Sequence, residues 1–359
     1  MLPFMLGKFT LRAASREDSA RLHQLGFATQ DGVIKLALTP SDVAIPQEID
    51  NYMPGYRRFP FRADEISPVI LVDQPIDEYR VYDSANVFRQ VRTETSLQSP
   101  VAEVDPTTTM VTYRTRPHAL GAFIPAMTRS TARNFDPQTI AARRIGDALG
   151  LSRELRVFTK ATTLGSWSTL ARTTLGAGFQ WNGGANSDPL LDLQTRIEAS
   201  TQPVTDIYLG VKATHAMLRH PKMVDHIAAM LGGGPRPPEM VAAAGSPSTG
   251  QTIDFEIPGL PRFHVVSSKV LNDTTGALDE IIGNDVVMVA NPPGDAQFED
   301  IRTFQTFRVR GPSGTGFVSR SYEVPGRGRD GGTMLVSGYD DAELVVANGA
   351  GGLIKSVIQ

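Results

Sequence analysis

The alternation of apolar and polar positions divides the chain into segments of different texture. Residues 1–65 read as an arm. A short helix is expected there around Ser15–Leu25, opened by Ser15 with Asp18 three residues on. The rest of the arm, LTPSDVAIPQEIDNYMPGYRRFPFR, is punctuated by four prolines and reads as extended. From Ile66 to Pro125 the runs PVILVD, DEYRVYD and TTTMVTYRTR are rich in Val, Ile, Tyr and Thr, which suit strands. In the last run Val111 and Tyr113 alternate with Thr112, Arg114 and Arg116, a half-buried pattern of period two. The polar stretch between the strands, Arg89–Thr109, predicts a long hairpin with too little apolar content to fold alone. Such a hairpin must lie on another surface.

The clearest helix follows. Asp136 suits the N-cap, Pro137 the first helical position, and the pattern runs to about Lys160. Ile145, Ala148, Leu149, Leu155 and Phe158 recur at three- and four-residue steps and predict one apolar stripe. Arg143, Arg144, Arg153, Arg156 and Lys160 make the rest of the surface basic, which reads as a solvated, ion-paired or phosphate-touching face. At 1.5 Å per residue this spine is roughly 36 Å long.

Beyond a Gly/Ser/Thr loop the texture becomes α/β. Asp188–Pro189 opens the helix LLDLQTRIEAS, TDIYLG reads as a strand, and ATHAMLRHPKMVDHIAAML as two helices broken at Pro221. PEMVAAAG suggests a short helix, and FHVVSS and DVVMVA two strands. IRTFQTFRVR and FVSRSYEV, separated by GPSGTG, read as a hairpin; TMLVSGY, DAELVV and GLIKSVI read as closing strands. No repeat of 20–50 residues is visible.

Composition narrows the function classes. At 359 residues with 41% hydrophobic and 20% charged positions, the chain can bury a real core, and about two domains are expected. The net charge of −3 lacks the basic excess of a dedicated nucleic-acid binder. Cysteine is absent, which excludes disulfides, thiolate metal sites and cysteine nucleophiles. The start, MLPFMLGKFTLR, places its apolar stretch before its first basic residue, the reverse of a secretory signal. No apolar run approaches the ~20 residues of a membrane helix. The expectation is a soluble chain made in the cytoplasm, with no membrane partner. Arg outnumbers Lys 28 to 7, and no Lys falls between Lys35 and Lys160. Arg favours bidentate contacts at assembly surfaces, although GC-rich codon usage produces the same bias.

The candidate chemistry is thin. His215, His220 and His226 crowd one helical region, but His215 and His226 lie about 16 Å apart along a helix, and His220 points about 140° away from His215. They do not converge on one ion. Gly326–Gly331 formally matches GxGxxG, yet a strand rather than a helix follows it. GPSGTG lacks the Lys-Ser/Thr ending of a phosphate loop. Asp340, Asp341 and Glu343 read as solvated charges beside a strand end. Trp167 and Trp181 read as buried hinge or interface residues rather than a platform for bases. No catalytic, cofactor-binding or metal site is expected.

The order of parts is more informative than any motif. Arm, polar hairpin, spine helix, α/β domain, β-hairpin and terminal strand together resemble the major capsid proteins of tailed double-stranded DNA phages, the α+β Hong Kong 97-type fold. The resemblance spans essentially the whole chain. It is carried by RTRPHALGAFIPAMTRSTARNFDPQTIAARRIGDALGLSRELRVF with its Arg153–Glu154 pair, and by FQWNGGANSDPLLDLQTRIEASTQPVTDIYLG followed by ATHAMLRHPKMVDHI. In the latter, Trp181, Asp188–Pro189, Gly210 and Leu218–His220–Pro221 follow the family's order.

The resemblance implies a division of labour: residues 1–65 as N-terminal arm and 66–125 as an extended loop lying across a neighbouring subunit. Residues 126–187 and 298–339 would form a peripheral domain with the spine helix 136–160, and 188–297 and 340–359 an axial domain at five- and six-fold axes. It implies a non-enzymatic virion protein, assembled in the bacterial cytoplasm as hexamers and pentamers. A scaffolding protein, a portal and a decoration or cement protein would be its partners, and packaged DNA would touch the inner face without specificity. Contacts between subunits would involve Arg80, Arg89, Arg92, Arg114 and Arg116 against Asp77, Glu78, Glu94 and Glu103. The rival within the fold is an encapsulin-type nanocompartment, and the rival from another class is an α/β hydrolase-like enzyme.

Overall fold

The computed structural model describes residues 29–30, 33–34, 61–82, 108–131, 136–183, 186–230, 254–292, 294, 296, 300–311, 314, 316–327 and 330–359. The helix expected at Ser15–Leu25, the polar stretch from Arg89 to Thr107, and the PEMVAAAG helix lie outside the described residues.

Strands β1 (Thr29–Gln30) and β2 (Val33–Ile34) pair with each other, and the one-turn helix α1 (Ala63–Ile66) leads into β3 (Val69–Val72). There follow β4 (Ile76–Tyr82), β5 (Thr108–Arg114), β6 (Arg116–Pro125), α2 (Ala126–Thr131) and the spine α3 (Pro137–Ala161). Next come β7 (Arg172–Thr174), α4 (Pro189–Ala199), β8 (Asp206–Gly210), α5 (Val211–Arg219) and α6 (Pro221–Met230). The chain then runs through β9 (Asp254–Phe255), β10 (Arg262–Val266), β11 (Lys269–Leu271), β12 (Leu278–Glu280) and β13 (Val286–Val289). It ends with β14 (Phe304–Val309), β15 (Val318–Val324), β16 (Gly332–Val345) and β17 (Gly351–Lys355).

Two sheets carry the architecture. The first has six strands in the order β7-β17-β13-β8-β10-β9. In β8, Ile207 and Leu209 join Leu193, Met217 and Met223 of the helical layer, while Tyr208 joins Val287, Val289 and Leu353 against the spine helix. With both faces covered, these strands read as nearly continuous apolar runs. In the second sheet β16 is the axis. It pairs with β6 along one edge over ten residues, and with β15 and then β14 along the other; β3 lies parallel to β14.

Three expectations change. β14 and β15 do not form a hairpin with each other, because each pairs with β16. TMLVSGY and DAELVV are one continuous strand of 14 residues. The sheets also cut across the expected division: β7 at 172–174 joins the first sheet, and β16 carries the second sheet on to Val345.

The spine helix begins as its sequence suggests. Asp136 accepts from the Gln138 and Thr139 amides at 3.0 and 3.1 Å, with Pro137 behind it. At the other end the Trp167 indole donates to Ala161 O at 2.7 Å and Lys355 Nζ to Thr162 O at 3.1 Å, satisfying carbonyls the helix leaves open. Its apolar stripe changes partner midway. Ala141, Ala142, Ile145 and Leu149 pack on Ile124, Leu335 and Tyr339 of the second sheet. Val157, Phe158 and Ala161 pack on the first. Ala148 and Leu155, expected in the stripe, are exposed. Gly150 sits between the two halves, where a Cβ would come within 2.5 Å of the Phe61 ring.

At the crossover the helix buries a charged pair instead of exposing it. Arg153 and Glu154 are both buried, so of the readings of the basic face Arg153 takes the ion-paired one, not the solvated one. Glu154 accepts the Arg62 and Ala63 amides at 3.0 and 2.7 Å and the Ser268 hydroxyl at 3.2 Å, so it caps α1 from across the core. Burial pushes its carboxyl up, and these donors, with Arg153, recover part of that shift. Arg153 bonds Asp64 and, at 3.1 Å, Ser67 O. Its Nε lies 3.7 Å from Asp341, which accepts a bidentate pair from Arg308 at 2.7 and 2.8 Å. Burial first, and the neighbouring Arg308 second, lower Arg153 to about 10, so it stays charged at neutral pH. Asp341 is therefore no solvated charge; it is fully buried among guanidiniums.

A second junction holds the end of the arm to the first sheet. His264 is buried on β10, stacked on Tyr208, with Nε2 2.8 Å from Asp206 and Nδ1 2.9 Å from Asp254. Arg62 bonds both Asp254 and Glu65. Burial raises Asp206, but the hydrogen bonds from His264 and Thr205 overcome it and leave the carboxyl below 3.8.

Two outcomes are expected. Asp341→Ala leaves buried guanidiniums without their anion and should cost about 3–5 kcal/mol in urea unfolding, whereas Arg308→Met with Asp341→Leu should recover most of that loss. A group with a depressed folded pKa contributes stability that is complete above its unfolded value and lost as pH falls through the folded one. Asp206→Asn should therefore flatten the acid limb of the stability profile below pH 3.8. An unchanged acid limb would exclude this role for Asp206.

Candidate functional site

β4 and β5 form a two-stranded ribbon pairing Ile76 with Arg114 through Tyr82 with Thr108. Because side chains alternate, the ribbon has two unlike faces. One carries Tyr79 and Tyr113, both buried against Phe307 of β14 at ring distances of 5.8 and 4.8 Å in edge-to-face geometry. Val72, Ala342 and Val346 complete this small core. Tyr113 donates its hydroxyl to Gln74 O at 3.2 Å, and burial raises the phenols of both tyrosines. Thr115 pins the root of the ribbon, its amide donating to Pro75 O at 2.9 Å. The base of the hairpin thus lies on its own chain, which the sequence reading did not anticipate.

The opposite face reads Ile76, Glu78, Arg80 on β4 and Met110, Thr112, Arg114 on β5, and it is open to solvent. Ile76 and Met110 are 55% and 51% exposed. Of the charged residues expected in contacts between subunits, Glu78, Arg80 and Arg114 share this face, and Asp77 is exposed on the other. Arg116 is exposed at the first position of β6. Burial lowers Lys160, Glu343 opposes that shift, and the charge of Arg116 adds to it. Arg89, Arg92, Glu94 and Glu103 lie outside the described residues. Among the described residues, Asp77, Glu78, Arg80, Arg114 and Arg116 form no ion pairs with one another; Glu78 sits opposite Thr112 and Arg80 opposite Met110. Ile76 and Met110 were not singled out from sequence; the pairing of β4 with β5 places both on the face opposite Tyr79 and Tyr113.

The basic spine residues also have specific tasks. Arg156 reaches Glu343 at 2.7 Å and the Tyr339 hydroxyl at 3.4 Å, and Lys160 donates to Glu343 O at 2.7 Å. Arg143 and Arg144 are exposed. Trp167 and Trp181 are buried, with their indoles bonded to Ala161 O and to Asp192 at 2.7 and 2.9 Å. His220 bonds Ser187 at 3.0 Å and His226 lies 3.3 Å from Pro258 O. Among the described residues no group of three or more His, Asp or Glu could hold a metal ion, and no helix is long and apolar enough to cross a membrane.

No protein-family model matches the chain, and no curated protein matches it by sequence. Solved structures do match. A phage-related protein from Bordetella bronchiseptica RB50 superposes with a TM-score of 0.62 at 16% identity, covering 88% of this chain and 98% of that one. A putative prophage capsid protein from E. coli CFT073 gives 0.54 at 11% identity, over 87% and 99% of the two chains. The capsid protein of Cyanophage P-SCSP1u gives 0.51 at 11% identity, over 93% and 94%. Taken with the spine helix, the two sheets and the ribbon, these superpositions show that the chain shares the α+β fold of these phage-related and capsid proteins.

Proposed function

We propose that this chain is the major capsid protein of a tailed phage, assembling as hexamers and pentamers into an icosahedral head that encloses double-stranded DNA. The observation that carries this reading is the fold shared with capsid proteins over nearly the whole chain, the cyanophage capsid protein covering 93% of it. The exposed ribbon face supports it. A ribbon that spends its aromatic side on its own sheet and leaves Ile76 and Met110 in water has an apolar surface for a second subunit. A scaffolding protein, a portal and a decoration protein belong to this proposal, as does non-specific contact between packaged DNA and exposed arginines such as Arg143 and Arg144.

Electron microscopy of the purified protein tests the reading directly. Closed shells that take up DNA in the presence of packaging components support it. Shells loaded with an enzyme point to a nanocompartment, and a soluble monomer with turnover overturns it.

Three further outcomes are expected. Ile76→Ser with Met110→Ser should change subunit unfolding by no more than about 0.5 kcal/mol, since both side chains are exposed, yet should stop assembly at isolated capsomers seen by sedimentation. Tyr113→Ala empties the aromatic core under the ribbon and should cost the subunit itself about 3 kcal/mol. Cohesion between subunits should be non-covalent. Ile66–Pro125 contains no Lys to form an isopeptide bond, and the chain has no Cys. Mature particles boiled in denaturing detergent should run as one band at 38.8 kDa, and a ladder of covalent oligomers would contradict this.

A further inference from the structure

The strands β11 and β12 belong to neither large sheet. Among the described residues they pair only with each other, Lys269 with Glu280, Val270 with Asp279 and Leu271 with Leu278. A ribbon this short is marginal by itself, and both of its ends are pinned. At the root, Glu280 accepts the Val211 and Lys212 amides at the start of α5, and the Ile281 amide donates to Ser268 O at 3.1 Å. At the tip, Asn272 Oδ1 accepts the Thr274 and Thr275 amides at 3.0 and 3.3 Å, and its Nδ2 donates to Asp279 at 2.8 Å. Gly276 takes the left-handed conformation that closes the turn. Between these fixed points Leu271 and Leu278 face each other across the ribbon, 56% and 65% exposed. Asp273 and Asp279 beside them are exposed and, among the described residues, have no ion-pair partner.

The far edge of the first sheet carries a surface of matching kind. β7 is the terminal strand there; Leu170, just before it, is 77% exposed, and Leu164 is 38% exposed. Two half-buried guanidiniums are held beside them by carbonyl oxygens. Arg172 Nη1 donates to Leu164 O, and Arg196 Nη1 donates to Leu170 O at 2.8 Å and to Arg172 O at 3.4 Å. Among the described residues neither has a carboxylate within ion-pair distance, so both keep N–H groups for an anion.

The ribbon does not reach this surface in its own subunit. It leaves the sheet at β10, four strands from β7 and so roughly 19 Å away, while its three residue pairs extend roughly 10 Å. Two different, complementary patches at distant places on one chain are what a head-to-tail contact between identical subunits requires. We infer that the tip of the β11–β12 ribbon docks on the Leu164–Leu170 edge of a second copy of this chain. Its leucines meet leucines there, and Asp273 and Asp279 meet Arg172 and Arg196. The inference rests on the assembly reading given above. It adds a contact, separate from that of the β4–β5 ribbon, that can close a ring because it joins unlike surfaces.

The chain has no Cys, so introduced thiols report this contact without background. Leu170→Cys with Leu278→Cys, assembled and treated with a short bismaleimide, should give a ladder of covalent oligomers in denaturing electrophoresis. Each single variant should give monomer alone, since like positions do not meet head to tail. Adding Asp273→Lys and Asp279→Lys to the pair should cut the cross-linked fraction at least about tenfold, by setting cations against cations. Unfolding midpoints close to that of the wild type confirm that these exposed substitutions leave the subunit folded. Sedimentation and electron microscopy of the wild-type chain separate the two proposals. Particles whose Cys pair shows no ladder, dimers from Leu278→Cys alone, or a ladder indifferent to the lysines overturn the inference while the assembly reading stands. A wild-type chain that stays monomeric overturns both.

Discussion

The fold turns on a buried carboxylate. Asp341, on β16, draws in Arg308 from the neighbouring strand and Arg153 from the spine helix, with Arg156 at 4.0 Å. Such a cluster does not stabilise by Coulomb attraction alone, because desolvating several ions costs about as much as their pairing returns. Its effect is to make position specific. A helix whose apolar stripe passes from one sheet to another could slide along either; a guanidinium that must meet Asp341 on one side and Asp64 on the other allows a single placement. Glu154, the next residue, imposes the same demand on α1 through two backbone amides. Adjacent residues thus register three parts of the chain: spine, second sheet and the end of the arm.

That fixed frame explains how the ribbon of β4 and β5 can be both anchored and available. Its root is held by Thr115 on Pro75, and its inner face by two tyrosines on Phe307. Those contacts spend the aromatic residues, and the remaining face is a mixture of Ile, Met, Glu and Arg. A mixture of that kind is too polar to collapse on its own subunit and apolar enough to gain from a partner.

Much of this was legible in the chain, for identifiable reasons. Asp136–Pro137 and Asp188–Pro189 marked two helix starts because capping is local chemistry. The strands of the first sheet announced themselves as apolar runs such as DVVMVA, being covered on both sides. What escaped was non-local. Arg153 and Glu154 look like any charged pair on a helix, since their partners Asp341, Arg62 and Ala63 are far away in sequence. Asp340, Asp341 and Glu343 looked alike, yet one is fully buried, because alternation along a single continuous strand, invisible while two strands were expected, turns Asp341 inward. His264 gave no signal, as nothing near it in sequence foretells Asp206 across the sheet. For the ribbon, residue types were readable, but which face was free depended on Phe307.

The pairing of β6 with β16 has a mechanical consequence. The ribbon hangs from the first residue of β6, and the spine is reached from its last, so a pull on the ribbon relative to the spine runs along β6 itself. Ten residue pairs join β6 to β16 in antiparallel register. Tension applied along a strand loads all of its ladder bonds in shear at once, whereas tension across it would peel them one by one. In the assembly proposed above, a subunit tugged outward by its neighbours would therefore resist through the whole ladder, and yielding there would demand the simultaneous rupture of the longest pairing among the described residues.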